Sequence, residues 1–330
     1  QCMALAGFLL VASFALNALS PVLSGKFQVS TTAIKLVPLF LMAIVGTIKG
    51  LSNGLLIENF TTVVNEDVST FGSLFKAIVA TCFAYEGWMI ATSINAEIKD
   101  SKKNLPKALI IGGLAIVAIY LFYYIGVAGG ATNQELIEKG ATIAFTNIFG
   151  GFLGNVLNLF IVISCLGTLN GLMIACPRSF YSLAIRDCGP SPKTFASVDR
   201  ETNMPSKAGI LALLFCGIWY FYFYGANLTA PIFGVFSFDS SELPIITLYG
   251  MYIPIFINMM IKSKDLHPVK RFVFPALSIG ACLFMIFSAF YAYKLQAFYY
   301  LFIFAVIMLV GLMFYRDKKG RSVIYRFFYK

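Results

Sequence analysis

The chain has 330 residues, of which 59% are hydrophobic and only 12% charged, with a net charge of +10. This composition exceeds the apolar content of an ordinary soluble core and indicates a polytopic membrane protein. Because the basic residues lie in short segments between hydrophobic runs, we interpret the charge as a topology signal, and we expect no nucleic-acid partner.

Cysteine and histidine usage gives little support to an enzyme or a metalloprotein. The seven cysteines follow no zinc-site spacing or disulfide framework, and the single histidine, His267, has no evident acid or nucleophile partner. The glycine cluster at 150–154 opens no strand–helix unit, and there is no Walker A loop. We therefore expect no enzymatic activity, no cofactor or metal, and no disulfide-linked partner.

The fold class predicted from hydropathy is all-α, with nine membrane spans. Most runs are near the ~20 residues that a bilayer requires, and the fifth extends past the membrane. Gln1 opens directly in apolar sequence without a basic n-region, so the start looks like a cut. The runs lie at about 1–22, 28–50, 71–97, 105–129, 148–184, 207–225, 241–262, 271–293 and 296–315.

Loop charge predicts the orientation, because Lys and Arg are retained on the cytoplasmic side. One set of loops holds most of the basic residues, including Lys26, Lys99 to Lys107, Arg186 to Lys207 and Lys262 to Arg271, and the tail 316–330 is also basic. The other set holds only Lys49, Lys139 and Lys294. We expect a multi-pass plasma-membrane protein with a cytoplasmic C-terminus. The N-x-T triplets at Asn59 and Asn227 are interpreted as chance matches.

The second span carries a lysine, Lys35, about two turns, or roughly 10 Å, from its cytoplasmic end. One interpretation is a side chain that snorkels to the interface. The other is a fixed internal cation, held within about 4 Å of a carbonyl, hydroxyl or carboxylate, which is the default for an intramembrane lysine.

The third span is interrupted by a polar, glycine-bearing stretch, Phe83-Ala84-Tyr85-Glu86-Gly87-Trp88. A glutamate on the central turn of a continuous helix costs roughly 2.5–3.5 kcal/mol on insertion scales. A discontinuous helix explains it better, because unpaired backbone groups at the break bind a polar substrate. The alternative is a straight helix with Glu86 buried against a neighbour. The first interpretation predicts a loss of i→i−4 bonding between residues 82 and 88.

The fifth span contains Ser164-Cys165-Leu166-Gly167-Thr168-Leu169-Asn170-Gly171. Gly167 and Gly171 form a small-residue face that close helix packing explains. Asn170 needs a polar partner in lipid, supplied by a neighbouring helix or by an aqueous cavity. Packing and substrate-pathway lining are therefore equally open for Asn170. The seventh span opens with Asp239-Ser240-Ser241-Glu242, a helix N-cap signature.

These residues resemble the amino acid–polyamine–organocation superfamily, most closely its L-type and cationic amino acid transporter branches. The break at 83–88, followed by Glu97-Ile98-Lys99-Asp100-Ser101-Lys102-Lys103-Asn104-Leu105-Pro106-Lys107-Ala108, resembles the family's sixth helix and the loop after it. Residues 164–171 with Arg178 resemble its eighth helix, and the Lys35 stretch resembles its fifth.

The resemblance implies a fold of two inverted five-helix repeats whose first three helices are missing here. Residues 1–50 would be the last two helices of the first repeat, 71–262 the second repeat and 271–315 two peripheral helices. Because the missing first helix supplies part of the family's substrate site, we expect the chain as given to form an open groove and not to transport alone.

The resemblance also implies a function, secondary active transport of an amino acid by alternating access. Phe83, Ala84 and Tyr85 would offer carbonyls to the substrate amine and Trp88 an outer lid, with Glu86, Gly87 and Asn170 completing the predicted site. Lys35, with Ser164 and Thr168, would take the place of a bound sodium ion, which favours a sodium-independent exchanger or proton-linked uptake. The alternatives are a polyamine or amine carrier, a channel, and a non-transporting scaffold.

Overall fold

A computed structural model describes residues 1–62 and 70–315, where the regular elements are helices and no strand occurs. The α-helices are α1 (Cys2–Leu19), α2 (Pro21–Leu41), α3 (Thr47–Ser52), α4 (Leu55–Thr61), α5 (Thr70–Tyr85), α6 (Trp88–Ser93), α7 (Ser101–Ala128), α8 (Asn133–Lys139), α9 (Thr142–Ala184), α10 (Pro192–Phe195), α11 (Ser206–Phe223), α12 (Pro244–Lys262), α13 (Phe274–Tyr293) and α14 (Leu295–Met313).

The predicted all-α membrane architecture is confirmed. Within the described residues, nine helical segments are long and apolar enough to cross a bilayer. A bent pair, Asn133–Lys139 with Thr142–Leu157, would make a tenth. The expected fifth run, 148–184, extends past the membrane as predicted: its membrane-spanning part is Leu159–Ala184. Further upstream, Gly150 interrupts α9 with φ 80° and ψ 166°. The basic tail 316–330 lies outside the described residues.

The junction between the first two helices also differs from the expectation. α1 ends at Leu19 and α2 begins at Pro21, with no loop between the predicted runs 1–22 and 28–50. Proline is well suited to the first helical position because its missing N–H would be unpaired there. Lys26 therefore lies inside α2, and Lys35 is about 21 Å along the axis from the start of the helix rather than roughly 10 Å.

Two compact units make up the chain. The first comprises Gln1–Glu66, Gly87–Ser182 and Thr194–Leu213, and its buried core contains Met42, Val127, Ala131, Ala144, Phe145 and Leu157. The second comprises Asp67–Glu86, Leu183–Lys193 and Leu214–Lys330, and its core contains Val79, Cys82, Phe238, Leu243, Ile245, Ile246, Ala289, Ala297 and Tyr300. The predicted division into inverted repeats stays a prediction.

A glycine crossing holds α7 against the π-helical turn that joins α2 to α3 in the first unit. A Cβ at Gly46 would lie 2.3 Å from the Gly126 carbonyl oxygen, and one at Gly126 would lie 2.2 Å from that of Met42. Gly50 and Gly129 meet in the same way, at 2.3 Å from Cβ to Cα. The two backbones are in direct contact, an approach that membrane helices make where small residues face each other.

Candidate functional site

The predicted interruption of the third span is present. α5 ends at Tyr85 and α6 begins at Trp88, with Glu86 and Gly87 in a turn between them. The Glu86 N–H donates to the Phe83 carbonyl at 3.2 Å, a spacing of three residues instead of four. Gly87 has a φ of +113°, a conformation that residues with a Cβ rarely adopt. The loss of regular helical bonding between residues 82 and 88 is therefore confirmed.

The six residues of the break fall at the division between the two units, and each side is described separately. In the second unit, Phe83 is 54% exposed and Ala84 is also exposed, whereas Tyr85 and Glu86 are half-buried. The first unit resumes at Gly87, which is half-buried, and Trp88, which is exposed. Their role in substrate binding stays a prediction.

Glu86 takes part in a polar contact that the sequence did not indicate. Within the second unit, its side chain is hydrogen-bonded to the hydroxyl of Tyr249 on α12. The Cys82 thiol, one turn earlier on α5, donates to the same hydroxyl at 3.0 Å. The tyrosine hydroxyl therefore accepts one hydrogen bond and donates another to the carboxylate. The only sequence signal was a hydroxyl group within an apolar span.

Asn170 lies in a buried polar cluster of the first unit, with Asn17, Ser24 and Gln28. Asn170 Oδ1 accepts from Asn17 Nδ2 at 2.9 Å, and the Ser24 hydroxyl lies 3.1 Å from the same oxygen. Asn170 Nδ2 donates to the Ser24 carbonyl at 3.3 Å and to Gln28 Oε1 at 3.0 Å. Only 1% of Asn170 is exposed. Of its two interpretations, these contacts favour packing of α9 on α1 and α2.

The other polar residues predicted on the fifth span make local contacts. Thr168 is exposed, and its hydroxyl donates to the Ser164 carbonyl of its own helix at 3.0 Å. Gly167 is buried against α2, where an added Cβ would lie 2.5 Å from Thr31 Oγ1. The glycine face is therefore a packing face, as predicted. Asn17 and Ser24, which the sequence analysis missed, were visible only as polar residues in apolar runs.

Lys35 is half-buried on α2. In residues 1–62 and 70–315 its ammonium makes no hydrogen bond or ion pair, so the predicted polar contact is not found among them. Its grouping with Ser164 and Thr168 as a coupling site stays a prediction. The described part of the chain also contains no cluster of three or more His, Cys, Asp or Glu side chains placed to hold a metal ion.

An ion pair in the first unit joins the segment after α6 to α9. Arg178 approaches Glu97 Oε1 with Nη2 at 2.7 Å and Nε at 2.8 Å. The guanidinium also donates to the Ile174 carbonyl and faces the Met204 sulfur at 3.9 Å. Arg178 is only 12% exposed, whereas Glu97 is 60% exposed. Both residues belong to stretches singled out by sequence, but nothing in the sequence paired them.

The family described as "Amino acid permease" matches residues 1–313. The chain belongs to the amino acid permease family. The match includes the α5–α6 break, the α9 glycine face and the Arg178–Glu97 ion pair, so these features lie within the family's own domain. The resemblance to the amino acid–polyamine–organocation superfamily, which was based on residues 83–108 and 164–178, is confirmed.

The relatives include amino acid transporters and an exchanger. The serine/threonine exchanger SteT of Bacillus subtilis (strain 168) is 28% identical over 78% of this chain and 55% of its own length. The b(0,+)-type amino acid transporter 1 of Rattus norvegicus is 28% identical over 91% of this chain and 59% of its own length. The cystine/glutamate transporter of Homo sapiens is 26% identical over 84% and 53%. The chain spans about half the length of these relatives.

Proposed function

We propose that this permease-family chain carries the amino acid binding machinery of an exchanger that works by alternating access. The observation that supports the proposal most directly is the helix break at Glu86 and Gly87 in a chain of the amino acid permease family. At a break inside a membrane span the backbone departs from the regular helical pattern, and a polar substrate can bind its N–H and C=O groups where lipid cannot. A zwitterionic substrate carries the two charges that such groups stabilise.

The proposed substrate residues are those around the break. By resemblance to the family, the carbonyls of Phe83, Ala84 and Tyr85 would receive the substrate amine, and Trp88 would act as an outer lid. Glu86 would set the charge of the site through its contact with Tyr249. Removing a charge from water costs several kcal/mol unless it is paired, so these partners have to be present when the substrate is bound.

We further propose that transport is independent of sodium, that the protein lies in the plasma membrane and that its C-terminus is cytoplasmic. The serine/threonine exchanger among the relatives supports exchange over uniport. Lys35, by resemblance, occupies the position of a sodium ion. The distribution of Lys and Arg between the loops supports the orientation.

The test uses the polypeptide that contains residues 1–330 together with any helices encoded upstream, reconstituted in liposomes. Uptake of labelled serine is followed with and without internal serine, and then with threonine, leucine, glutamate or cystine inside. We expect saturable uptake that requires an internal amino acid and is equal in sodium and choline buffers. Uptake that needs no internal amino acid would contradict exchange, and unsaturable flux would favour a channel.

A pair of glycine variants tests whether the exchange activity depends on the helix break. Gly87→Ala is expected to lower exchange by about tenfold or more, because alanine resists the positive φ and displaces the neighbouring binding groups. Gly112→Ala is the control, since a Cβ there meets nothing within 4 Å and α7 accepts alanine. Equal activity of both variants would remove the break from the mechanism.

The second candidate, an amine or polyamine carrier, is favoured by one observation, the carboxylate of Glu86 beside the break. Lysine and putrescine therefore belong in the substrate panel, and Glu86→Gln is the variant that separates the two candidates. If cations exchange well and lose this on Glu86→Gln while serine does not exchange, the amine carrier is supported over the amino acid exchanger.

A further inference from the structure

A cluster of four lysines surrounds the start of α7. Lys99 precedes the helix, and Lys102, Lys103 and Lys107 lie in its first two turns; all four are exposed. The acid within this stretch is Asp100. In the ranges 1–62 and 70–315, the four ammonium groups make no ion pair or hydrogen bond. The cluster is therefore a net positive surface that is open to an outside partner.

On the same side of α7, the residues that follow the lysines are apolar. Lys103, Lys107, Ile110, Leu114 and Leu121 are spaced by four, three, four and seven residues, which places them along one side of the helix. Ile110 is 64% exposed, Leu114 68% and Leu121 57%. At ~1.5 Å per residue, the stretch from Lys107 to Leu121 is about 21 Å long, more than the roughly 15 Å of one leaflet's hydrocarbon.

The helix length puts the lysines at the level of the lipid headgroups. α7 has 28 residues, or about 42 Å, against a hydrocarbon thickness of about 30 Å. The most apolar 18-residue stretch within α7 contains no buried residue. Beside the basic end, a shallow recess that is open to the outside is lined by Ile98, Asp100, Ser101, Lys102 and Lys103.

We propose that this side of α7 is a binding site for an anionic phospholipid. The lipid phosphate lies between Lys103 and Lys107, with Lys99 and Lys102 adding to the positive potential, and one acyl chain follows Ile110, Leu114 and Leu121. A soluble phosphate would contact only the lysines, and an apolar partner helix would contact only Ile110, Leu114 and Leu121. An anionic lipid matches both, because its charge and its acyl chain are joined in the same order along the membrane normal.

The experiment measures which lipid is in contact with this side of α7. The two natural tryptophans, Trp88 and Trp219, are replaced by phenylalanine, and Ile110→Trp provides the only indole. The 330-residue protein is reconstituted in phosphatidylcholine bilayers that contain brominated phosphatidylglycerol or, separately, brominated phosphatidylcholine at the same mole fractions. We expect phosphatidylglycerol to quench with an association constant on the order of tenfold above that of phosphatidylcholine.

Paired charge variants in the reporter background locate the preference. With Lys103→Gln/Lys107→Gln, the two lipids should quench equally. Lys103→Arg/Lys107→Arg keeps both positive charges and should keep the preference, which would show that substitution at these two positions does not itself abolish it. Lys262→Gln/Lys264→Gln, which removes two exposed lysines elsewhere, should have no effect.

Four results would overturn the proposal. Equal quenching by both lipids in the unmodified reporter would show no preference, and a preference that survives Lys103→Gln/Lys107→Gln would place its source elsewhere. Absence of quenching by either lipid would show that a protein segment covers this side of α7. Loss of the preference on adding dilute glycerol phosphate at constant ionic strength would identify the site as one for soluble phosphate.

Discussion

Replacing Gly126 by alanine tests the backbone crossing between α7 and the segment that joins α2 to α3. The added Cβ would lie 2.2 Å from the Met42 carbonyl oxygen and 2.9 Å from the Ala43 Cα, whereas ordinary contact begins at 3.4 Å. The shortfall is about 1.2 Å. The obstructing atoms belong to a helical backbone, so no side-chain rotation relieves the contact.

The cost follows from how far the two segments have to separate. Inserting a methyl group into a close-packed interface costs typically ~1–3 kcal/mol. A gap of 0.5–1 Å already removes about a quarter to a half of the attractive energy of each dispersion contact. The contacts of Gly46 and Gly129 would be lost together with that of Gly126, because they lie along the same crossing. We therefore expect a cost near the upper end, about 3 kcal/mol.

The assay is thermal unfolding of the purified protein in detergent, followed by intrinsic fluorescence and by loss of the monodisperse peak. Gly112→Ala on the same helix is the matched control, because its Cβ meets nothing within 4 Å and alanine favours helix by about 1 kcal/mol over glycine. Gly126→Ala should unfold several degrees below the wild type, and Gly112→Ala at or above it. Equal unfolding temperatures for the two variants would refute the close crossing.

Three further predictions concern the first unit. Asn170→Leu should lower the unfolding temperature, because one buried N–H of the Asn17 amide loses its acceptor at a cost of ~1–3 kcal/mol, and by more than Thr168→Val, whose hydroxyl is exposed and bonds its own helix. Glu97→Gln should cost at most about 1 kcal/mol in a denaturation measurement, since its ion pair with α9 is largely exposed on the acid side. The backbone N–H of Thr202 is the main group holding the pKa of Asp199 below its usual value. The turn it stabilises should therefore be intact at neutral pH and loosen as the pH falls through that lowered pKa, with faster hydrogen exchange after correction for intrinsic rates, an effect absent in Asp199→Asn.

Much of the architecture was predictable from residues considered one span at a time. Hydropathy predicted nine spans, and the coincidence of Glu86 with Gly87 predicted the break between α5 and α6. Helix ends were less predictable: Pro21 starts α2 directly after α1, and Gly150 interrupts α9 inside an apolar run. These ends depend on single backbone conformations that leave average hydropathy almost unchanged.

What the sequence determined by itself is therefore local: the membrane environment, the number of spans and the position of a break that a lone intramembrane acid requires. The tertiary structure alone decided the partners. It joined Asn170 to Asn17 and Ser24, Arg178 to Glu97, and Glu86 to Tyr249. The physical reason is that a polar group in an apolar span must find a hydrogen-bond partner, but its own sequence neighbours do not say which helix will supply it.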